Sequence, residues 1–142
     1  MSIPQFGTRL PGQDYVFRPS AYVVIRNQEG KVAVVKTPAG VYLPGGGQDP
    51  GESAEDAAVR ETAEECGLLI ALSNRLGVAD QFGPSDAGDM HFAKHSTFYR
   101  ATIVGTAPAS EPDHETVWLT PEQAQAQLTH ESHRWALTQE RT

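Results

Sequence analysis

Apolar and β-branched side chains run unbroken from Ala21 to Ile25, framed by Ser20 and Arg26, and a turn-rich cluster over Asn27 to Gly30 leads into the strand-like Lys31 to Lys36. The pair predicts a hairpin. Val41 to Leu43 adds a short extended piece, and after it the pattern changes from strand to helix. Ser53 follows a Pro-Gly-Glu turn and precedes Asp56 by three residues, as an N-cap with a capping-box-like partner does. Gly67 stands where a left-handed residue ends a helix, so the spacing predicts a helix from about Ala54 to Cys66. Strand-like runs follow near Arg75 to Phe82, Thr97 to Val104 and Thr116 to Leu119. Two helices close the chain, one starting near Pro121 and one from about Ser132 to Glu140. Strands with one inserted helix and helices at the end predict an α/β sandwich with a mixed sheet.

The inserted helix has two chemically different sides. Val59, Thr62, Ala63 and Cys66 form a small, mostly apolar side suited to packing on a sheet, while Glu61, Glu64 and Glu65 stand at i, i+3 and i+4 within one turn. The acidic side points outward or into a cleft. Like charges at this spacing cost an isolated helix roughly 0.2–0.5 kcal/mol per pair, and the sequence interposes no cation within Glu61/Glu64 or Glu61/Glu65. A hard divalent ion held by carboxylate oxygens would compensate, and Mg²⁺ commonly uses few protein carboxylates together with substrate phosphates. Just upstream, Leu43-Pro44-Gly45-Gly46-Gly47 gives backbone that can approach an anion or metal closely. Loop and helix together describe a metal and phosphate site.

Composition narrows the reading. The chain has 142 residues, 39% of them hydrophobic, a size typical of a single domain (residues 1–142) with its own core, and no linker, repeat or low-complexity stretch divides it. A net charge of −7 excludes a general nucleic-acid binder, which needs a basic face, yet leaves room for a small anionic substrate bound through metal. Met1 to Pro19 has neither a signal-peptide pattern nor a run able to span a bilayer, so a cytoplasmic location without membrane contact is expected. The lone Cys66 reads as a packing residue. None of His91, His95, His114, His130 and His133 has metal-ligand spacing.

The run Gly46-x5-Glu52-x7-Arg60-Glu61-x2-Glu64-Glu65-x-Gly67-Leu68 resembles the signature of the Nudix hydrolases, which cleave nucleoside diphosphates linked to another moiety. With each fixed position met by chance at roughly 7% or less, the seven fixed residues falling in register has a probability on the order of 10⁻⁹. Thr62 departs from the aliphatic residue usual after Arg-Glu, on the packing side of the helix. The resemblance implies a Nudix-type α/β/α sandwich and a MutT-like, Mg²⁺-dependent pyrophosphohydrolase, with Mn²⁺ an acceptable substitute. It implies that Glu61, Glu64 and Glu65 bind the metal with a backbone carbonyl for which Gly45 is the candidate. Gly46 and Gly47 would lie along the substrate, and Arg60 would pair with Glu52 or a neighbouring carboxylate to hold the cluster in place.

A carboxylate must accept the proton of the attacking water. Glu61 is the first choice; in this family the base can also come from a distant loop, where Asp86, Asp89, Asp113 and Glu115 are available, Glu115 first among them because it precedes Trp118 in a predicted strand. Gln81 to His95 reads as a mobile recognition loop in which Phe82 would stack on a base. Pro84, sixteen residues after Leu68, resembles the placement in the ADP-ribose pyrophosphatase branch, for which the chain is short. The expected substrate is a small nucleotide, a nucleoside triphosphate, ADP-ribose or similar. The alternative is a silent module that senses a nucleotide or sugar nucleotide. Trp118 and Trp135 read as core or interface, and Trp135 with its helix would suit a homodimer contact.

Overall fold

The computed structural model describes residues 3–85 and 87–140. Two sheets carry the fold. Strands β1 (Gln5–Phe6), β2 (Val16–Ile25), β5 (Gly45–Gly47), β6 (Leu68–Pro84) and β7 (His91–Thr106) form one in the order β1-β6-β7-β2-β5. Strands β3 (Val32–Thr37), β4 (Gly40–Tyr42) and β8 (Glu115–Leu119) form the other in the order β4-β3-β8. The larger sheet is mixed: β1 runs parallel to β6 and β2 parallel to β7, while β5/β2 and β6/β7 are antiparallel.

Strand β2 is the keel of the molecule. Its apolar run is buried on both faces, as a central strand's should be: Tyr22 and Val24 enter one core, with α2 (Pro121–Gln127) and α3 (Glu131–Thr138), while Ala21, Val23 and Ile25 enter a second beneath α1 (Ala54–Cys66). Each fully buried aliphatic side chain contributes about 1.5–3 kcal/mol. The expected α/β/α sandwich with a mixed sheet is the observed architecture. No helix among the described residues is long and apolar enough to cross a membrane.

Helix α1 spans the expected residues. Ser53 Oγ accepts from Asp56 N–H at 3.0 Å, and Gly67, at φ 67°, ends the helix with its N–H on Ala63 O. Ala57, Ala58 and Thr62 are the buried positions, with Val59 packed at the margin, so the sheet-facing side sits slightly earlier in the helix than the predicted Val59-Thr62-Ala63-Cys66. Alanines at the contact bring the helix axis close to the sheet. Cys66 is partly buried, and burial pushes its thiol up to about 11.

Three sequence expectations are corrected. The Ser20–Arg26 and Lys31–Lys36 strands do not form a hairpin: they meet only at the bridge Arg26↔Val32 and then part into different sheets, because the edges of β2 are taken by β5 and β7. Gly45 to Gly47 is not a loop but an edge strand on β2. Gln81 to His95 is not a mobile loop. β6 and β7 continue through Pro84 and from His91 onward, leaving a short turn closed by Ser85 N–H on Met90 O at 2.7 Å. Phe82 is accordingly buried, edge-on to Tyr15, and is not placed to stack on a base. Trp135 packs against Phe6 and Phe98 beside Gly77.

Candidate active site

Arg60 organises the acidic side of α1. Its Nε donates to Glu52 Oε2 at 2.7 Å and Nη2 to Glu52 Oε1 at 2.9 Å, a two-point grip that suits a planar guanidinium. Nη2 also donates to Gly47 O at 3.1 Å, tying the helix to the glycine strand. Nη1 donates to Glu61 Oε1 at 2.8 Å and lies 3.2 Å from Glu64 Oε2. A cation is therefore interposed between Glu61 and Glu64, contrary to the sequence reading; the side chain of Arg60 reaches forward one position and one turn at once. The Arg60 guanidinium holds the Glu52 carboxyl down at about 2, so Glu52 is a fixed anion.

Glu61 and Glu65 reach over the glycine edge strand into a cleft of about 330 Å³, also lined by Arg18, Ser20, Tyr22, Tyr42, Lys94 and His114. Gly45 N–H donates to Glu65 Oε1 at 2.9 Å. The glycines are needed for space: a Cβ on Gly46 would lie 2.5 Å from Glu61 Oε2, and one on Gly45, at φ 144°, would lie 2.1 Å from Ala21 O. Burial, then the neighbouring carboxylates Glu61, Glu111 and Glu64, push Glu65 up to about 8 despite the Gly45 N–H. Burial also raises Glu61, against the pull of Arg60. Burial and mutual repulsion thus make two neighbouring carboxylates of the cleft resist ionisation.

Among the described residues, no three acidic, histidine or cysteine side chains already converge on one point: Glu61 and Glu64 turn to Arg60, and Glu65 to Gly45 N–H. The donor set nonetheless fits a hard divalent cation, since it consists of carboxylate oxygens with backbone beside them.

The loop acids are placed differently from expectation. Glu115 is exposed on β8, opposite Lys36; its neighbour His114 lines the cleft instead. Asp86 lies outside the described residues, and Asp89 is exposed in the β6–β7 turn. Glu111 is the acid that the sequence reading missed: it is close enough to raise both Glu61 and Glu65. Its loop is pinned to the end of α1 by Ser110 N–H on Glu64 O at 2.8 Å and Ala107 N–H on Gly67 O at 2.9 Å. Arg18 and Lys94, on the adjacent strands β2 and β7, were missed as well.

Comparison with known proteins places this geometry in context. The family model described as NUDIX domain matches residues 16–140. A Bacillus subtilis (strain 168) protein provisionally named 8-oxo-dGTP diphosphatase is 45% identical over 65 residues, 44% of this chain and 44% of that protein. An RNA pyrophosphohydrolase of Sphingopyxis alaskensis is 43% identical over 56 residues, 37% of this chain and 35% of that one. The matches thus span less than half the length of these curated relatives. Among solved structures, a MutT NUDIX hydrolase from Burkholderia pseudomallei superimposes with TM-score 0.63 at 29% identity, covering 89% of this chain and 99% of that one. A MutT protein from Methanosarcina mazei Go1 does so with TM-score 0.70 at 20% identity, covering 89% and 94%.

Proposed function

The chain belongs to the NUDIX domain family, and from that membership we propose that it is a Mg²⁺-dependent hydrolase cleaving a pyrophosphate bond in a small nucleotide. The observation that carries the proposal is the meeting of both charges in one cleft. Glu61 and Glu65, held by Arg60 and the glycine strand, line it together with Arg18 and Lys94.

Glu61, Glu64 and Glu65, with the Gly45 carbonyl, are the residues proposed to hold the ion; bound there, it would supply charge neutralisation for phosphoryl oxygens and acidify a water. Arg60 and Glu52 are positioning residues. They lock the helix to β5 and keep the Glu61 and Glu64 carboxylates from drifting. Arg18 and Lys94 would grip the phosphate lying away from the carboxylates. Glu61 is proposed to take the proton of the attacking water, with Glu111, the loop acid whose charge is felt at Glu61, as the alternative proposed for that role.

The names of the relatives point to substrates ending in a nucleoside 5′-triphosphate, free or on RNA. The chain's net charge of −7 favours the free nucleotide. The test is product analysis with and without Mg²⁺ on nucleoside triphosphates including 8-oxo-dGTP, ADP-ribose, nucleotide sugars, dinucleoside polyphosphates and triphosphorylated RNA. Mg²⁺-dependent cleavage at a pyrophosphate link of a free nucleotide is expected; binding without cleavage across the panel would make the protein a sensing module.

A further inference from the structure

The chain from Val41 to Gly45 leads into the glycine strand, and successive residues along it are held by different parts of the fold. Val41 N–H donates to Thr129 Oγ1 at 2.9 Å, and Val41 O accepts from Thr129 N–H at 2.9 Å, in the connection between α2 and α3. Leu43 lies between β4 and β5, in neither sheet, and its buried N–H donates at 3.1 Å to His133 Nδ1 on α3. Pro44 O accepts from Val23 N–H at 2.9 Å, and Gly45 N–H donates to Glu65 Oε1 at 2.9 Å. Pro44 has a fixed φ and no N–H of its own. A rotation at Leu43 therefore passes through a stiff link to Gly45, whose carbonyl is the proposed metal ligand.

His133 stands where it can prevent that rotation. Its helix is anchored to β6 by Ser132 N–H, which donates to Gln81 Oε1 at 3.0 Å, and by Trp135 over the bare Cα of Gly77. The imidazole is buried among aromatic rings, where a polar group is costly unless a partner meets it, and the Leu43 N–H is that partner. The ring also lies against Tyr22, with centroids 4.3 Å apart. Tyr22 in turn backs Gly45: a Cβ added to Gly45 would stand 2.7 Å from Tyr22 Cδ1. His133 thus bears on Gly45 by two routes, through the backbone and through Tyr22. An aliphatic residue would fill the same core but would leave the Leu43 N–H buried without an acceptor.

We infer that His133 is a positioning residue of the metal site: by accepting the Leu43 N–H and backing Tyr22 it fixes the Gly45 end of the glycine strand, and so sets how tightly a divalent cation is held, without touching the cation or the substrate. The inference rests on the hydrolase reading only for the place of the ion beside Gly45.

The test is amide NMR of the isotopically labelled full chain at neutral pH, with Mg²⁺ alone as titrant. The parent should show a coupling across the hydrogen bond between the Leu43 amide nitrogen and His133 Nδ1, and Mg²⁺ should shift the Gly45 to Gly47 amides. His133→Leu removes the acceptor and keeps an apolar body. It should move the Gly45 amide signal before metal is added and weaken Mg²⁺ binding about tenfold. His133→Asn, which carries an oxygen on Cγ where the imidazole carries Nδ1, should restore most of that affinity. Leu137→Ala, on the same helix and in the same core, should lower the melting temperature and leave Mg²⁺ affinity at the parent value. Should His133→Leu not fold, His133→Met, flexible enough to fill the same space, takes its place with the same expected results. The proposal is overturned if the coupling is absent in the parent, if the variant without an acceptor binds Mg²⁺ as tightly as the parent, or if Leu137→Ala weakens binding as much. Pyrophosphate cleavage with Mg²⁺ binding indifferent to His133 would leave the hydrolase standing and remove the positioning role. His133-dependent Mg²⁺ binding without cleavage would do the reverse, and glycine amides that ignore Mg²⁺ in the parent would overturn both.

Discussion

The carboxylate of Glu61 lies against the bare Cα of Gly46: a Cβ added there would stand 2.5 Å from Glu61 Oε2 and 2.7 Å from Cδ. The glycine strand and the acidic helix are thus two halves of one site, and the absence of a side chain at one position sets the position of a carboxylate at another.

Gly46→Ala is expected to act on chemistry rather than on folding. The Gly46 backbone is not in the left-handed region, so alanine meets no backbone strain, and the atoms it would strike belong to a side chain that can swing away. Displacing a reacting group by about 1 Å is enough to lower turnover about 10²-fold. Thermal melting within a few degrees of the parent, with kcat reduced by one to two orders of magnitude, is the expected pair of results; an unfolded or fully active variant would separate the two halves of the site.

Arg60→Lys tests whether shape or charge matters at the clamp. Lysine keeps the positive charge but is a point donor, and cannot serve Glu52, Gly47 O and Glu61 together as the guanidinium does. Turnover should fall at least about tenfold. The more direct readout is the Glu52 carboxyl, now held at about 2: its titration, followed by carbon NMR, should move up toward the ordinary glutamate range.

Helix α1 was legible in the sequence to the residue because its signals are local: Ser53 caps its own helix and Gly67 ends it. The first half of β6 was not, because register shifts at Leu69/Ile70, Leu72/Asn74 and Arg75/Gly77 break the alternation by which a strand is recognised. The glycine strand looks like a loop in the sequence for a related reason. Glycine has no strand preference, and β5 exists only through its pairing with β2. The seven motif residues named the acidic wall of the cleft, yet Arg18, Lys94 and Glu111 reach it through strand pairing and a loop anchored on the last turn of α1, relations between distant segments that no local pattern encodes.

Thr62→Val should stabilise the protein. Thr62 is fully buried and its Oγ1 has no hydrogen-bond partner among the described residues. A buried hydroxyl left unsatisfied costs about 1–3 kcal/mol, and valine replaces it with a methyl of nearly the same shape. Denaturant unfolding should give a midpoint shift corresponding to about 1 kcal/mol in the stabilising direction. Activity should be unchanged, since Thr62 faces the sheet rather than the cleft.

His133 makes the fold sensitive to mild acid. Its ring is completely enclosed by Tyr22, Tyr42 and Phe98, and its Nδ1 accepts from Leu43 N–H at 3.1 Å, so the imidazole must be neutral with its proton on Nε2. Burial, followed by the charges of His130 at the N-cap of α3, Lys94 on β7 and Arg134 on α3, holds it well below the ordinary histidine range. In the unfolded chain it titrates near 6.5. Below that pH the unfolded state takes up a proton that the folded state refuses, so stability contributed by the neutral ring is present above about pH 6.5 and is lost as pH falls toward the depressed folded value, by up to about 1.4 kcal/mol per pH unit. His133→Asn keeps an acceptor near Leu43 N–H and removes the titration. The variant should be less stable at pH 7.5, because the smaller side chain leaves a cavity. From pH 6.5 to 5 its unfolding free energy should fall less steeply than that of the parent. Parallel slopes in urea unfolding would mean that His133 is protonated in the fold, and that the Leu43 hydrogen bond does not hold it neutral.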